Sequence, residues 1–266
     1  MNNHSNPKKS LGQHFLYDQN IINKIISAAD ITQSDNILEI GSGRGHLTEA
    51  LMNTGAQIIS LEIDDDLYNY ELQRFNDATN VRILHLDAID FDPADFFNKP
   101  FKLIANLPYN VASRLLRKFL FSNPHPDLSI VMLQREVAKN IVSNPNKMNI
   151  LSSTFQTITE TELLFNVKPT SFIPPPKVYS SVVKLKFKDN PLLEKSELDD
   201  FFKFVLAAFT APRKQIKNSL SLGLKMDSEV VGKILNSIDI LTTRRPQTFT
   251  VFEWKLLFDS FKSEVI

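Results

Sequence analysis

Apolar residues of this chain form short continuous runs that alternate with stretches of helical period. The runs are bounded by polar turns and are typical of buried strands; they span Asn36 to Ile40, Gln57 to Ile63, Val81 to Leu86, Phe101 to Ala105 and Leu128 to Leu133. Between the runs, apolar residues recur on one helix face, as at Val111, Leu115, Leu116, Phe119 and Leu120. Alternating strands and helices predict an α/β fold with a doubly wound, mostly parallel sheet.

Two more strands and a helical region are predicted further along the chain. Thr161 to Val167 and Ser180 to Phe187 flank a proline-rich turn, and their close spacing indicates an antiparallel edge pair, which makes seven strands. The pattern changes at 188–191, after which helices are predicted over Leu198 to Phe209, Gln215 to Leu224, Ser228 to Leu235 and Thr250 to Phe261. Thr250 and Glu253 have the spacing of a capping box. We therefore divide the chain into domains at 1–188 and 189–266, the second small and all-α.

The composition limits which partners, metal sites and membrane segments the chain can be expected to have. Lys plus Arg and Asp plus Glu each number 30 among the 266 residues, so bulk charge gives no argument for a nucleic-acid partner. Cysteine is absent and the five histidines lack the spacing of zinc ligands, so no metal site is predicted. No stretch approaches the ~20 apolar residues that span a bilayer, and we expect a soluble cytoplasmic protein with no membrane partner.

Three of the seven glycines, Gly41, Gly43 and Gly45, directly follow the first predicted strand. Glycine admits positive φ and lets a ligand approach the backbone, and a helix that starts near His46 would point its amides into the same crevice. A nucleotide-like ligand fits such a turn, and a tight turn without a ligand is the alternative. The dinucleotide fingerprint requires glycine where this chain has His46, which disfavours pyrophosphate binding and hence a dehydrogenase.

Carboxylates end the second and third predicted strands. Glu62 stands where a side chain can accept hydrogen bonds from both hydroxyls of a ribose, and Asp87 stands where it could accept from an adenine amine. Taken alone, Glu62 is better explained as a solvated carboxylate among Asp64, Asp65 and Asp66, and Asp87 could equally be a helix or turn cap. Together with the glycine turn they indicate an adenosine ligand without pyrophosphate. This arrangement resembles that of S-adenosylmethionine-dependent methyltransferases.

The fourth strand runs into Asn106, Leu107, Pro108 and Tyr109. Pro108 keeps Leu107 out of the helical region, which leaves the Leu107 carbonyl available to accept a hydrogen bond. That carbonyl and the Asn106 amide oxygen could orient both hydrogens of an adenine amine and stabilise positive charge that develops on its nitrogen. Tyr109 could stack on the extruded base. The alternative is a proline-containing turn with a core tyrosine.

The order of these motifs along nearly the whole chain resembles the ribosomal RNA adenine dimethyltransferases, most closely the small-subunit enzymes of the KsgA or RsmA type. The resemblance rests on Gln13 to Leu16, Glu39 to Gly45, Glu62, Asp87, Asn106 to Tyr109, Phe172 to Val178 and Ser180 to Val183. It implies a Rossmann-like class I methyltransferase fold and dimethylation, at N6, of two adjacent adenosines near the 3′ end of 16S rRNA. S-adenosylmethionine is then the methyl donor, and no metal is used.

The resemblance also implies roles for individual residues. Asn106, Leu107, Pro108 and Tyr109 would be catalytic, and the cofactor contacts would come from His14, Leu16, Gly41, Glu62, Asp87 and Asn106. Residues 1–17 would form a lid in which His14 hydrogen-bonds the ligand and Leu16 covers it. Without the resemblance, this segment reads as a disordered N-terminal tail anchored by a phenylalanine.

Local charge suggests where RNA would bind. Residues 163–188 and 201–226 each hold five Lys or Arg and no acid, and could contact RNA phosphates, although solvated lysines would give the same pattern. In the second block Ala211 and Pro212 stand where the family usually has Gln and Arg, which puts one phosphate contact in doubt. The expected partner is the small ribosomal subunit with its rRNA, bound by a monomer.

Two alternatives differ in substrate or in class. The 23S rRNA adenine methyltransferases of the macrolide-resistance type more often carry Ile before the proline of the acceptor motif and lack a segment like Arg213 to Leu220, so this chain favours the small-subunit enzyme. A ribosome-assembly factor could keep the fold and bind immature subunits without essential catalysis. Intact Asn106 and Tyr109 argue for catalysis.

Overall fold

The computed structural model describes residues 7–8 and 12–265, with side chains as far as 262. They form two compact units, one that runs to Ala138 and resumes over Glu162–Lys186, and one that covers Lys139–Thr161 and continues from Phe187. The boundary between the two units at Lys186 and Phe187 lies next to the domain boundary predicted at 188. The segment 139–161, which the sequence analysis places in the first domain, belongs to the second unit because its helix packs against helices of the C-terminal region.

A seven-stranded sheet forms the framework of the first unit, in the order β4-β3-β2-β5-β6-β9-β7. Its strands are β2 (Asn36–Ile40), β3 (Gln57–Glu62), β4 (Val81–His85), β5 (Phe101–Asn106), β6 (Pro126–Gln134), β7 (Thr159–Val167) and β9 (Ser180–Phe187). Two short strands, β1 (Phe15–Leu16) and β8 (Phe172–Ile173), pair with each other antiparallel. The sequence pattern gave no sign of β1, because two residues are too few to show a period.

The predicted mostly parallel sheet is confirmed. β2 is parallel to β3 and β5, β3 is parallel to β4, and β5 is parallel to β6, whereas β9 is antiparallel to β6. The predicted pair lies at one edge of the sheet, where β9 is next to β6 and β7 is the outermost strand. The buried run Ser180–Val183 reflects this inner position, while β7 is mostly half-buried or exposed.

Helices between the strands cover the sheet and bury its apolar side chains. They are α1 (Gln19–Ala29), α2 (His46–Met52), α3 (Asp65–Arg74), α4 (Ala112–Leu120) and α5 (Arg135–Ile141), of which α5 runs into the second unit. Asp18 and Asp64 cap the N-termini of α1 and α3 with their side chains. Leu47 and Leu51 of α2 join α1 and β2 in one buried core cluster. This packing fixes the loops that follow the parallel strands.

The second unit contains α6 (Ile150–Ile158), α7 (Leu198–Ala208), α8 (Ile216–Leu224), α9 (Ser228–Ser237) and α10 (Val251–Val265). The last four correspond to the predicted helices. The predicted capping box is present, because the Thr250 N–H donates to Glu253 Oε2 at 2.8 Å and the Glu253 N–H donates to Thr250 Oγ1 at 3.2 Å. The sequence analysis missed α6, whose buried positions include serines and threonines that hide an apolar period. Among the described residues, no helix combines the length and apolar character needed to cross a membrane.

Candidate active site

A cleft of about 260 Å³ lies in the first unit where the parallel strands end. The carboxyl ends of parallel strands meet at one edge of a sheet, so residues far apart in the chain gather there. The cleft is lined by all of the site residues expected from the sequence: His14, Leu16, Gly41, Glu62, Asp87, Asn106, Leu107, Pro108 and Tyr109. The structure thus brings the two predicted sites, for a cofactor and for a methyl acceptor, into one cavity.

The three glycines of the turn after β2 all have positive φ, at 72°, 62° and 72°. A Cβ on Gly43 would lie 2.9 Å from Phe15 Cδ1, and a Cβ on Gly45 would lie 2.8 Å from Phe75 Cε2. A Cβ on Gly41 would meet no described atom within 4 Å, although Gly41 lines the cleft. Gly43 and Gly45 are therefore required by packing, whereas the backbone at Gly41 is open to approach by another molecule.

Glu62, at the end of β3, is buried and ties the strand to the glycine turn. Its Oε2 accepts from the Gly43 N–H at 2.9 Å, and its Oε1 accepts from the N–H groups of Ile63 and Asp64, also at 2.9 Å. Burial raises the pKa of the Glu62 carboxyl, and the three backbone donors oppose that shift. Each carboxylate oxygen can accept more than one hydrogen bond, so Glu62 retains capacity for a ribose hydroxyl.

Two further acids lie buried around the glycine turn. Glu39 Oε2 accepts from Thr48 Oγ1 at 2.7 Å and from Ser60 Oγ at 2.8 Å, and Glu71 Oε2 accepts from the Ser42 hydroxyl. In the described part of the chain, neither Glu39 Oε1 nor Glu71 Oε1 has a hydrogen-bond partner. Burial raises the pKa of Glu39 to about 7 and, with repulsion from Glu39, that of Glu71 to about 9.

The sequence analysis did not single out Glu71, although α3 buries it four positions after the buried Leu67. The one signal for it was this spacing, because residues four apart share a helix face. Asp87 was assigned two alternative roles, and its Oδ1 does accept from the Ile89 N–H at 2.9 Å as a turn cap would. It still lines the cleft, so the cap and a ligand contact are compatible.

The acceptor motif is held in place by its neighbours. Asn106 is the last residue of β5, and its Nδ2 donates to the His14 carbonyl oxygen at 3.0 Å. The Leu107 N–H donates to the Met132 carbonyl of β6 at 3.2 Å. The bond to the His14 carbonyl fixes the orientation of the Asn106 amide, and no described residue donates to its oxygen, which can therefore accept from a ligand.

Tyr109 completes the motif from the turn after β5. Its hydroxyl forms a hydrogen bond with Ser180 Oγ, and its ring stacks on His14 with 5.7 Å between centroids and 27° between planes. Burial raises the pKa of Tyr109 and the bond to Ser180 opposes that shift, so the phenol stays protonated at neutral pH. The ring therefore offers a neutral aromatic face at the wall of the cleft.

His14 lies closer to the acceptor motif than the lid hypothesis required. Its Nδ1 is 2.7 Å from the Pro174 carbonyl oxygen, its ring covers Tyr109 and its own carbonyl holds Asn106. Asp64 anchors the same segment, since it accepts from Lys8 Nζ and Gln13 Nε2 at 2.9 Å each. Residues 1–6 and 9–11 of the expected lid lie outside the described residues.

The described residues of this region do not form a suitable set of ligands for a metal ion. Within the described part of the chain, no three His, Cys, Asp or Glu side chains are grouped so that they could hold a metal ion. The acids near the glycine turn are engaged with hydroxyl and backbone donors.

Comparison with known proteins identifies the class of molecule. The sequence model of the family described as ribosomal RNA adenine dimethylase matches residues 4–256. A protein named ribosomal RNA small subunit methyltransferase A, from Dehalococcoides mccartyi, is 38% identical over 252 residues, which cover 94% of this chain and 87% of the relative. A protein of the same name from Listeria innocua is 37% identical over 262 residues, covering 94% and 89%.

Solved structures show the same relationship. The crystal structure of a dimethyladenosine transferase from Plasmodium falciparum superposes with a TM-score of 0.82 at 25% identity and covers 95% of this chain and 99% of that one. The 23S rRNA methyltransferase ErmE has a TM-score of 0.72 at 24% identity, with 93% and 99% covered, and shares the Rossmann-like methyltransferase fold. The cleft, its Asn106–Tyr109 acceptor motif and these matches agree: the chain belongs to the ribosomal RNA adenine dimethylase family and is an rRNA adenine methyltransferase.

Proposed function

We propose that this enzyme dimethylates, at N6, two adjacent adenosines near the 3′ end of small-subunit rRNA, with S-adenosylmethionine as the methyl donor. The observation that carries the proposal is the hydrogen bond that Asn106 Nδ2 donates to the His14 carbonyl, which fixes the orientation of the amide and leaves its oxygen to accept from a ligand. The relatives at 37–38% identity are named for methylation of the small ribosomal subunit. Their similarity extends over 94% of this chain and therefore includes the C-terminal helices.

The residues around the glycine turn fit the proposed donor. S-adenosylmethionine supplies a methyl carbon on a positively charged sulfur. The carboxyl groups of Glu39 and Glu62 line the cleft, which suits a cationic ligand, and Gly41 leaves open space in the same cleft. Glu62 and Asp87 would accept from the adenosine part. His14, Leu16, Gly41 and Asn106 would make the remaining contacts.

The acceptor motif performs the chemistry on the adenine amine. The Asn106 Oδ1 and the Leu107 carbonyl accept the two N–H groups, which localises the nitrogen lone pair and directs it at the methyl carbon. As the new C–N bond forms, the bond between sulfur and the methyl carbon would break and S-adenosylhomocysteine would leave as a neutral thioether. The positive charge would pass to nitrogen, where both oxygens would stabilise it until one proton is released to water. Tyr109 stacks on the extruded base, a contact worth ~1–3 kcal/mol in other proteins. Pro108 keeps the Leu107 backbone extended.

The second unit is proposed to position the RNA, in line with the helical RNA-positioning domain expected over 189–266. Arg213 and Lys214 are exposed just before α8 and are free of acidic neighbours in sequence, so they can reach phosphates. Ala211 and Pro212 offer no such contact. The partner that we propose is the small ribosomal subunit. We further propose that the enzyme acts on it as a monomer, in the cytoplasm.

The test is incubation with radiolabelled S-adenosylmethionine and undermethylated small subunits, followed by nucleoside analysis. Dimethyladenosine in small-subunit RNA is the expected product, and label in large-subunit RNA instead would select the 23S alternative. Asn106→Ala should abolish transfer, because it removes an acceptor for the amine, while donor binding should weaken but stay measurable in calorimetry. A parent protein that binds subunits without any transfer would select the assembly-factor alternative, and equal turnover by variant and parent would contradict the role of Asn106.

A further inference from the structure

A serine far from the acceptor motif in sequence reaches into it. Ser180, the first residue of β9, is fully buried, and its Oγ is hydrogen-bonded to the Tyr109 hydroxyl. We propose that Ser180 is a positioning residue for methyl transfer, which holds the Tyr109 ring in the orientation that stacks the target adenine. The inference rests on the proposed function, because Ser180 acts only through Tyr109 and the proposed function is what gives Tyr109 its role of stacking on the base.

The orientation of Tyr109 needs such support from outside its own segment. Tyr109 follows the end of β5 in a turn, where the Val111 N–H donates to the Pro108 carbonyl at 3.2 Å, and it is only half-buried. A tyrosine ring in a turn can rotate about two side-chain bonds unless its face and its hydroxyl are both held. His14 stacks on the ring with 5.7 Å between centroids, and Tyr109 lines the cleft that the base would enter. Ser180 holds the hydroxyl.

Ser180 is itself rigidly placed by the sheet. It pairs with Gln134 in the antiparallel ladder of β6 and β9, and Arg135, the first residue of α5, donates its N–H to the Tyr179 carbonyl at 2.9 Å. β6 also pairs with β5, where Met132 lies opposite Asn106. The Ser180 hydroxyl therefore links the motif after β5 to a strand two positions away in the sheet. An error in ring placement is costly because stacking must align the amine with the methyl carbon.

The neighbouring residue provides a matched control. Ser181 is also fully buried on β9, and its Oγ donates to Asn166 Oδ1 at 2.7 Å. Successive strand residues point to opposite faces of a sheet, so Ser181 serves the face away from Tyr109. Ser181→Ala thus removes the same atom and one buried hydrogen bond from the same strand, and it leaves the acceptor motif untouched.

The experiment compares Ser180→Ala, Ser181→Ala, Tyr109→Phe and the double variant Ser180→Ala/Tyr109→Phe in steady-state methylation of small subunits. Ser180→Ala and Tyr109→Phe should each lower kcat by about five- to tenfold, the size expected for one lost neutral hydrogen bond. KM for the subunit should stay within about twofold, because phosphate contacts dominate RNA affinity. The double variant should lose no more than either single variant, and Ser181→Ala should retain the kcat of the parent.

Three outcomes would overturn the inference. They are equal losses in Ser180→Ala and Ser181→Ala, losses that multiply in the double variant, and a Ser180→Ala enzyme as active as the parent. Should Ser180→Ala fail to fold, Tyr109→Phe provides the test, because it removes the same hydrogen bond at a half-buried site. Full activity of Tyr109→Phe would then refute the positioning role of Ser180. A parent protein inactive on small subunits would instead refute the proposed function, and the inference with it.

Discussion

Glu71 provides a direct test of the electrostatics beneath the glycine turn. It is fully buried on α3, and burial with repulsion from Glu39 raises its pKa to about 9, against 4.5 for an ordinary glutamate. At neutral pH the folded protein therefore holds a proton that the unfolded chain has lost. Unfolding releases that proton, so the free energy of unfolding must fall as pH rises from about 4.5 to about 9.

The size of the effect follows from the pH range over which Glu71 is protonated in the folded protein and ionised in the unfolded chain. Each proton released on unfolding lowers the free energy of unfolding by about 1.4 kcal/mol per pH unit. Between pH 6 and pH 8 Glu71 should therefore remove roughly 3 kcal/mol, a large share of the total stability of an ordinary domain. Glu39 adds to the slope only up to its own pKa of about 7.

The perturbation is Glu71→Gln, which keeps an oxygen acceptor for the Ser42 hydroxyl and cannot ionise. Urea unfolding of parent and variant at pH 6 and pH 8 should show that the variant loses less stability over this range, by roughly 3 kcal/mol. Glu136→Gln, on the exposed surface of α5, should keep the slope of the parent. Parallel pH dependences of the parent and Glu71→Gln would refute the raised pKa.

Other substitutions test the glycine turn, the donor site and a helix cap. Gly43→Ala should destabilise the fold by more than about 1 kcal/mol through positive φ and the 2.9 Å contact, whereas Gly41→Ala should destabilise it less, through positive φ alone, and should also weaken donor binding in calorimetry. Glu62→Ala should weaken donor affinity by at least about tenfold, and unchanged affinity would exclude its role. Thr250→Ala should cost about 1 kcal/mol in thermal unfolding, and a shift within error would dismiss the cap.

Several features of this protein are determined locally and could be predicted without a structure. β2 has the predicted bounds Asn36–Ile40, and α9 begins at the predicted Ser228, because apolar runs and periods are properties of adjacent residues. The positive φ at Gly41 and the start of α2 at His46 likewise follow from local glycine chemistry. Since parallel strands end at a common edge, the order of motifs also predicted that Gly41, Glu62, Asp87 and Asn106 would share the cleft, whereas His14 and Leu16 were expected there only from the family resemblance.

Other features depend on contacts between distant segments, and only the tertiary structure decided them. The insertion of β9 beside β6 and the assignment of α6 to the second unit depend on which surfaces meet, and no local period encodes that. Burial of Glu71 likewise requires the glycine turn to pack over α3, which raises a pKa that the sequence leaves ordinary. The link from Ser180 to Tyr109 joins residues 71 positions apart, since hydrogen bonding follows position in space.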